Sequence, residues 1–167
     1  MKDNKKPGNL STDVLLSMYR QALLIRNIEI QLGSDFKDGK LPGPVHLYIG
    51  QEAVVVGVDS VKKKGDQVIT SYRDHGHMLS CGMDPKGVMA ELTGKKTGYS
   101  KGKGGSMHMF SKSKDFYGGH GIVGAQVPIG AGLAFSNKYK KNKSVCFTYF
   151  GDGAANQGQI YETFNMA

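Results

Sequence analysis

A nearly continuous apolar run, residues 145–150, constrains the fold of this chain most strongly. Runs of this length and composition are typical of strands buried in parallel sheets. A second run, residues 67–71, is short, rich in β-branched residues and flanked by turn residues. Because predicted helices separate the two runs, the sequence indicates the α/β class, with a doubly wound parallel sheet.

Helical segments precede, separate and follow these strands. We predict helices over residues 13–32, 51–64, 74–81, 85–92 and 127–139, and a further helix after residue 153. The first has Ser11 or Thr12 as its candidate N-cap and Gly33 as its candidate stop. Pro85 occupies the favoured first position of its helix. Small residues such as Gly130 predict that helix 127–139 packs close to a neighbour.

A long segment without periodicity runs from residue 93 to residue 120 and is rich in Gly, Lys and Ser. Loops of this length inside a compact domain are usually functional or disordered. Its Met, Phe, Tyr and His side chains are too numerous for a plain linker. We therefore predict an ordered loop that faces a ligand. It lacks the spacing of a phosphate-binding P-loop, and no strand leads directly into it.

The formal charge of +8 raises the possibility of a nucleic-acid partner. Most of the basic residues are lysines, clustered at residues 62–64 and 138–143, where they favour the ends of predicted helices and face water. They form no surface of arginines and stacking aromatics. No run of ~18 apolar residues is present either. We expect neither a nucleic-acid nor a membrane partner.

The cysteines and the first residues bear on location. Cys81 and Cys146 lie far apart, which favours reduced thiols over a disulfide framework. The opening residues show neither an apolar signal segment nor an Arg- and Ser-rich transit peptide. We expect a cytoplasmic or mitochondrial-matrix protein, with the bacterial cytoplasm preferred.

Both predicted strands end in residues suited to binding anions or metals. In open α/β sheets, ligands gather at the carboxyl ends of the strands. Arg73, the only arginine after the first helix, favours bidentate recognition of phosphate or carboxylate, although an incidental salt bridge is an equal alternative. Asp152 lies between two glycines and suits Mg²⁺ bound to a diphosphate, although an ordinary tight turn uses the same residues.

Five motifs, taken in order, are much more specific than any one alone. They occupy residues 45–53, 71–77, 101–108, 118–128 and 151–158. The series resembles the alpha subunit of thiamine-diphosphate-dependent 2-oxo acid dehydrogenases, most closely the pyruvate type. The resemblance covers nearly the whole chain from about Leu15 onward.

The resemblance implies a thiamine-diphosphate-binding fold with thiamine diphosphate and Mg²⁺ as cofactors. Asp152 would coordinate Mg²⁺, and Gly153 and Ala154 would lie against the diphosphate. Tyr72 and Arg73 would hold the diphosphate and border the substrate pocket.

The resemblance also assigns groups around the reacting end of the cofactor. The backbone at Gly121 and Val123 would contact the aminopyrimidine. His46 would line the pocket near the 2-oxo acid and, with Tyr72 and Arg73, make up the catalytic group.

The implied activity belongs to an assembly. An α2β2 heterotetramer with a beta subunit would decarboxylate pyruvate oxidatively and pass the acetyl group to the lipoyl arm of an acyltransferase second component. In the family the thiamine motif continues beyond the equivalent of Ala167 to an asparagine that completes the Mg²⁺ shell, and the acyl-transfer histidine lies later still. We therefore expect a helical extension over residues 1–43, a truncated cofactor-binding domain over residues 44–167 with an incomplete sheet, and an inactive isolated chain.

Three alternatives stay open at this point. The chain could come from a branched-chain 2-oxo acid or acetoin dehydrogenase, although the residues of the motifs favour a pyruvate dehydrogenase. It could be a non-catalytic fragment that binds a beta subunit. A lysine-rich nucleic-acid binder would instead show salt-dependent retention on DNA.

Overall fold

A three-stranded parallel sheet organises the computed structural model, which describes residues 10–167. The strands are β1 (Gln67–Ser71), β2 (Phe116–His120) and β3 (Cys146–Thr148), in the order β2-β1-β3. Both strand pairs are parallel, so all three carboxyl ends lie on one edge of the sheet. The predicted α/β class with a parallel sheet is confirmed.

Helices occupy most of the remaining residues. They are α1 (Thr12–Lys37), α2 (Glu52–Asp59), α3 (His75–Ser80), α4 (Pro85–Leu92), α5 (Gln126–Tyr139), α6 (Asp152–Ala155) and α7 (Gly158–Met166). Ser11 caps α1 by accepting the Val14 N–H, and Pro85 begins α4. Both predicted helix starts are confirmed. Within residues 10–167 no helix is both long and apolar enough to cross a bilayer.

The first helix does not end at Gly33. It continues to Lys37, so the predicted stop is wrong. Gly33 instead allows close packing, because a Cβ atom there would lie 3.2 Å from Cδ1 of Leu47. Gly39, at φ +69°, adopts the left-handed conformation just past the helix end.

Helix α2 is shorter than predicted and ends at Asp59 rather than near residue 64. The carboxylate of Asp66 accepts the backbone N–H of Lys63 at 2.8 Å. A local bond of this kind competes with continuation of the helix. The turn at Gly65, φ +92°, then leads the chain into β1.

Strand β2 lies inside the segment that was predicted as one long loop, and that part of the prediction is wrong. Gly118 and Gly119 weaken the sequence signal, because glycine is depleted in strands. Both glycines have a packing role. A Cβ on Gly118 would overlap the Phe110 ring, and one on Gly119 would overlap the Asp74 carboxyl group.

Strand β3 is shorter and more exposed than the apolar run predicts. Cys146–Thr148 is only partly buried along its whole length. Backbone bonds to β1 extend the pairing at both ends, from Gln67 N–H to Val145 O and from Tyr149 N–H to Ile69 O. Within residues 10–167, β3 pairs on one side only, so its side chains are less covered than those of the central strand β1.

Two groups of buried apolar side chains hold the fold together: the first packs helices against the sheet, and the second packs helices against one another. Leu32 of α1 packs in the same group as Val68 of β1 and Phe116 of β2. Ile25 of α1 lies in the second group, with Val55 of α2. The long first helix therefore packs onto the rest of the fold, and the division of the chain at residue 43 stays a prediction.

Helix α5 packs closely against β3, as its small residues predict. A Cβ on Gly130 would overlap the side chain of Thr148 in β3. At the ends of the helix, Gln126 donates to the Tyr149 carbonyl at 2.9 Å, and Asn137 donates to the Gln67 side chain at 3.0 Å. These contacts fix the height of α5 along the sheet.

We expect Gly130→Ala to lower the free energy of unfolding by about 1–3 kcal/mol, because the added methyl group overpacks the α5–β3 contact. Gly132→Ala is the matched control, since a Cβ at Gly132 meets nothing within 4 Å. That variant should gain about 0.5–1 kcal/mol from helix propensity. Urea unfolding followed by circular dichroism measures both, and equal effects would contradict the close packing.

Candidate functional site

The residues predicted to bind the cofactor follow the carboxyl ends of all three strands. Tyr72 and Arg73 follow β1, Gly121 and Val123 follow β2, and Asp152 begins α6 just after β3. Because the strands are parallel, these residues lie along one edge of the sheet, where ligands of open α/β sheets bind. Their roles in binding stay predictions.

His46, Tyr72 and Arg73 form one cluster. The His46 ring meets the Tyr72 ring edge-on, with centroids 4.8 Å apart. Arg73 Nη1 donates to the Leu47 carbonyl at 2.6 Å, and its guanidinium carbon lies 5.7 Å from the Tyr72 ring centroid. The segment around residue 46 is therefore tied to the end of β1.

Arg73 makes no ion pair with an acidic side chain among residues 10–167. Its hydrogen-bond partner is the backbone carbonyl of Leu47. The alternative of an incidental salt bridge is therefore not what the structure shows. A guanidinium oriented by a neutral carbonyl keeps its full positive charge for an anionic ligand.

The imidazole of His46 is held neutral. Burial lowers its pKa, and the positive charge of Arg73 lowers it further. Its Nδ1 atom is buried without a partner among the described residues. A neutral ring with an unpaired nitrogen can donate to or accept from a ligand.

The turn between β2 and α5 carries Gly121 and Val123 and is held by contacts from two sides. A Cβ on Gly121 would lie 3.1 Å from the imidazole of His108, so the 101–108 segment covers this glycine. Gln159 Nε2 at the start of α7 donates to the Val123 carbonyl at 3.1 Å. The turn is thereby joined both to the glycine-rich loop, residues 94–108, and to the region after β3.

Asp152 is exposed at the start of the four-residue helix α6. A Cβ on either Gly151 or Gly153 would meet nothing within 4 Å, so open space flanks the carboxylate. This is the room that a diphosphate needs, and Ala154 behind it is buried. Among residues 10–167, no three His, Cys, Asp or Glu side chains converge, so a metal at Asp152 would need further ligands from other groups.

Glu91 in α4 organises the glycine-rich loop. Its carboxylate accepts the backbone N–H groups of Ser100, Gly102 and Gly104 at 2.7, 2.9 and 2.6 Å. These N–H groups are engaged by an internal anion and are not free for a phosphate. These bonds support an ordered loop, and both its order and its ligand-facing role stay predictions.

A chain of three buried polar side chains was not identified from the sequence. His75 Nδ1 lies 2.9 Å from Glu29 Oε1, and His75 Nε2 lies 2.9 Å from Ser106 Oγ. His75 and Glu29 are fully buried, and Ser106 is 4% exposed. His75 lay within a recognised motif, but Glu29 is an ordinary acidic residue of a long helix, and no sequence signal marks it as buried.

Asp74 and His77 are buried beside these three side chains, and burial favours the uncharged form of each. Burial, and then the negative charge of Glu29, raise the pKa of the Asp74 carboxyl well above its usual value. Burial lowers the pKa of His77 to about 3. The His77 ring lies between those of Tyr48 and Tyr149, at centroid distances of 4.9 and 4.4 Å.

His77 should make the fold sensitive to acid. Below pH 6.5 the unfolded chain takes up a proton at His77, whereas the folded chain does not until about pH 3, so stability is lost as the pH falls through this window. His77→Phe removes that proton uptake. Between pH 7.5 and pH 5, the variant should lose about 1–2 kcal/mol less stability than the unaltered chain in urea unfolding. His108→Phe, at an exposed position, should lose as much as the unaltered chain.

Glu91→Gln should loosen the glycine-rich loop, because an amide has one acceptor oxygen where the carboxylate has two. We expect hydrogen exchange at the Ser100, Gly102 and Gly104 amides to accelerate about tenfold or more. Glu162→Gln, the same change at an exposed position of α7, is the control. Unchanged protection in Glu91→Gln would show that other contacts hold the loop.

Comparisons with known proteins identify the family. Residues 19–167 match the family described as "Dehydrogenase E1 component". The pyruvate dehydrogenase E1 component subunit alpha of Rhizobium meliloti is 67% identical over 152 residues, which are 91% of this chain and 44% of that protein. The subunits of the same name from Rickettsia felis and Zymomonas mobilis are 59% and 57% identical, over 91% and 96% of this chain and 47% and 46% of theirs.

This chain spans about half the length of the curated relatives it matches. The family match extends over all three strands and over every residue of the candidate site, from His46 to Ala154. The resemblance noted from the five motifs is thereby confirmed. The chain belongs to the dehydrogenase E1 component family.

Proposed function

We propose that this chain forms part of the alpha subunit of a thiamine-diphosphate-dependent pyruvate dehydrogenase. The observation that carries the proposal is the convergence of Arg73, the turn at Gly121 and Asp152 on the carboxyl edge of one parallel sheet. The names of the relatives support the choice of pyruvate. The reaction would be oxidative decarboxylation with transfer of the acetyl group to a lipoyl arm.

The carboxyl edge fits the diphosphate end of the cofactor. Asp152 would bind Mg²⁺, and Gly153 and Ala154 would lie against the phosphates, where no side chain blocks the approach. Tyr72 and Arg73 would hold the diphosphate from the β1 side. Mg²⁺ prefers six oxygen ligands, so the remainder would come from the phosphates, water and groups outside these residues.

The turn after β2 fits the other end of the cofactor. Gly121 presents backbone without a side chain, and the Val123 carbonyl is already held by Gln159. The aminopyrimidine would contact the remaining backbone groups of this turn. When bound, thiamine diphosphate supplies a nucleophilic carbon and an electron sink for decarboxylation.

The chain's own residues would set the electrostatics around the substrate. Arg73 brings a positive charge, and the Leu47 carbonyl orients its guanidinium group. His46 is neutral and would orient the 2-oxo acid by hydrogen bonding. Burial raises the pKa of Asp74, directly behind the site, well above its usual value, which favours the uncharged carboxyl group and reduces repulsion of an anionic cofactor or substrate.

The assembly belongs to the same proposal. A beta subunit would complete each site in an α2β2 heterotetramer, and a lipoyl-bearing acyltransferase would accept the acetyl group. We also propose residues 1–43, of which 1–9 lie outside the described residues, as an extension that contains helix α1, residues 44–167 as part of the cofactor-binding domain, and the bacterial cytoplasm as the location. Inactivity of the isolated chain stays a prediction, supported by the absence, among residues 10–167, of any group of three His, Cys, Asp or Glu side chains that could hold a metal ion.

Asp152→Asn tests the proposal in the assembly of the full-length subunit with its beta partner. Losing the carboxylate should raise the dissociation constant of thiamine diphosphate, measured by calorimetry at fixed Mg²⁺, by about 100-fold or more. Asp115→Asn is the control, because Asp115 precedes β2 at the opposite edge of the sheet and its positive φ of 52° suits asparagine.

The unaltered assembly provides the second measurement. Turnover with pyruvate, branched-chain 2-oxo acids and acetoin should be fastest with pyruvate. An assembly that binds no thiamine diphosphate, or an Asp152→Asn variant that binds it as tightly as Asp115→Asn does, would refute the proposed site.

A further inference from the structure

Three segments of the candidate site meet behind it, at the buried chain formed by Glu29, His75 and Ser106. Glu29 accepts two N–H groups: His75 Nδ1 lies 2.9 Å from Oε1, and the Tyr48 backbone N–H lies 2.9 Å from Oε2. A carboxylate only accepts hydrogen bonds, so His75 Nδ1 donates to Glu29. On the other side of the ring, His75 Nε2 lies 2.9 Å from Ser106 Oγ, within hydrogen-bond distance.

Each of these three side chains fixes the backbone next to a proposed site residue. Through Tyr48, Glu29 holds the segment whose Leu47 carbonyl orients Arg73. His75 begins α3, two residues after Arg73.

Ser106 fixes the glycine-rich loop on the other side of the site. Two residues further on, the imidazole of His108 lies against Gly121, where a Cβ would be 3.1 Å from it. The same three side chains therefore reach the cluster of His46, Tyr72 and Arg73, the end of β1 and the turn after β2.

The order serine, histidine, carboxylate also occurs in hydrolases, but these three side chains are not arranged for attack on a substrate. A nucleophilic serine must reach the substrate carbonyl next to an oxyanion-binding group. Here Ser106 is 4% exposed, and His75 and Glu29 are fully buried. The burial suits a role in holding other groups in place.

We propose that Glu29, His75 and Ser106 are positioning residues that set Arg73 and the Gly121 turn at the separation thiamine diphosphate requires. This inference rests on the proposed function. Loss of one link lets the 104–108 segment leave its place against Gly121, so a smaller fraction of molecules is competent to bind. The apparent dissociation constant rises in inverse proportion to that fraction.

The test uses the assembly of the full-length subunit with its beta partner and measures thiamine diphosphate binding by calorimetry at fixed Mg²⁺. Ser106→Ala removes one hydroxyl group, and His75→Gln keeps a polar side chain that cannot reach both partners. We expect each to raise the dissociation constant about tenfold, with the melting temperature of the cofactor-free assembly recorded beside it.

Val88→Ala is the control for loss of stability alone. Val88 is fully buried in α4 and belongs to the apolar core rather than to the polar chain. Its truncation should lower the melting temperature by several degrees, at least as far as Ser106→Ala does, and leave the dissociation constant within about twofold. If His75→Gln fails to assemble, the comparison of the dissociation constants of Ser106→Ala and Val88→Ala still tests the positioning role.

The outcomes separate the inference from the proposed function. Weaker binding in Ser106→Ala, with near-normal binding in Val88→Ala, supports the positioning role. Binding by Ser106→Ala that equals the unaltered assembly, or equal weakening in Val88→Ala, overturns it while the proposed function stands. Failure of the unaltered assembly to bind thiamine diphosphate overturns the proposed function, and the inference with it.

Discussion

Parallel pairing of β1 with both neighbours is the constraint on which the rest of the structure depends. The backbone of β1 bonds to β2 on one side and to β3 on the other, so three loops distant in sequence emerge at one edge. Side chains on those loops can meet a single ligand without any direct contact among themselves. Helix α5 maintains this arrangement, because Gly130 lets it lie against Thr148 of β3.

Internal carboxylates then hold the loops that parallel pairing brings together. Glu29 binds the Tyr48 N–H, and Glu91 binds three N–H groups of the glycine-rich loop. Glu52 accepts the Gly50 N–H and pairs with Arg26 at 2.6 Å, which lowers its pKa to about 2. Each carboxylate lies on a helix and accepts hydrogen bonds from backbone N–H groups of an irregular segment.

Two further titratable side chains, Asp74 and His77, are buried behind the site. Burial raises the pKa of Asp74 and lowers that of His77, because it disfavours the charged form of each. Gly119 accommodates the Asp74 carboxyl group, and Gly76 accommodates the Tyr48 ring, since a Cβ at either position would overlap its neighbour. These side chains are closely packed. At the end of β1, Arg73 contributes its positive charge to the candidate site.

Local sequence determined the α/β class, strand β1, helix α4, the starts of the helices and the five motifs. Short apolar runs favour strands and capping residues favour helix starts through interactions with residues nearby in the sequence, so these features can be predicted from the sequence. Tertiary structure alone decided that the glycines of β2 lie in a strand, that Gly33 lies within a helix, and that Glu29 meets His75 and Ser106. Those outcomes depend on which distant groups approach a residue, and a pattern along the chain does not contain that information.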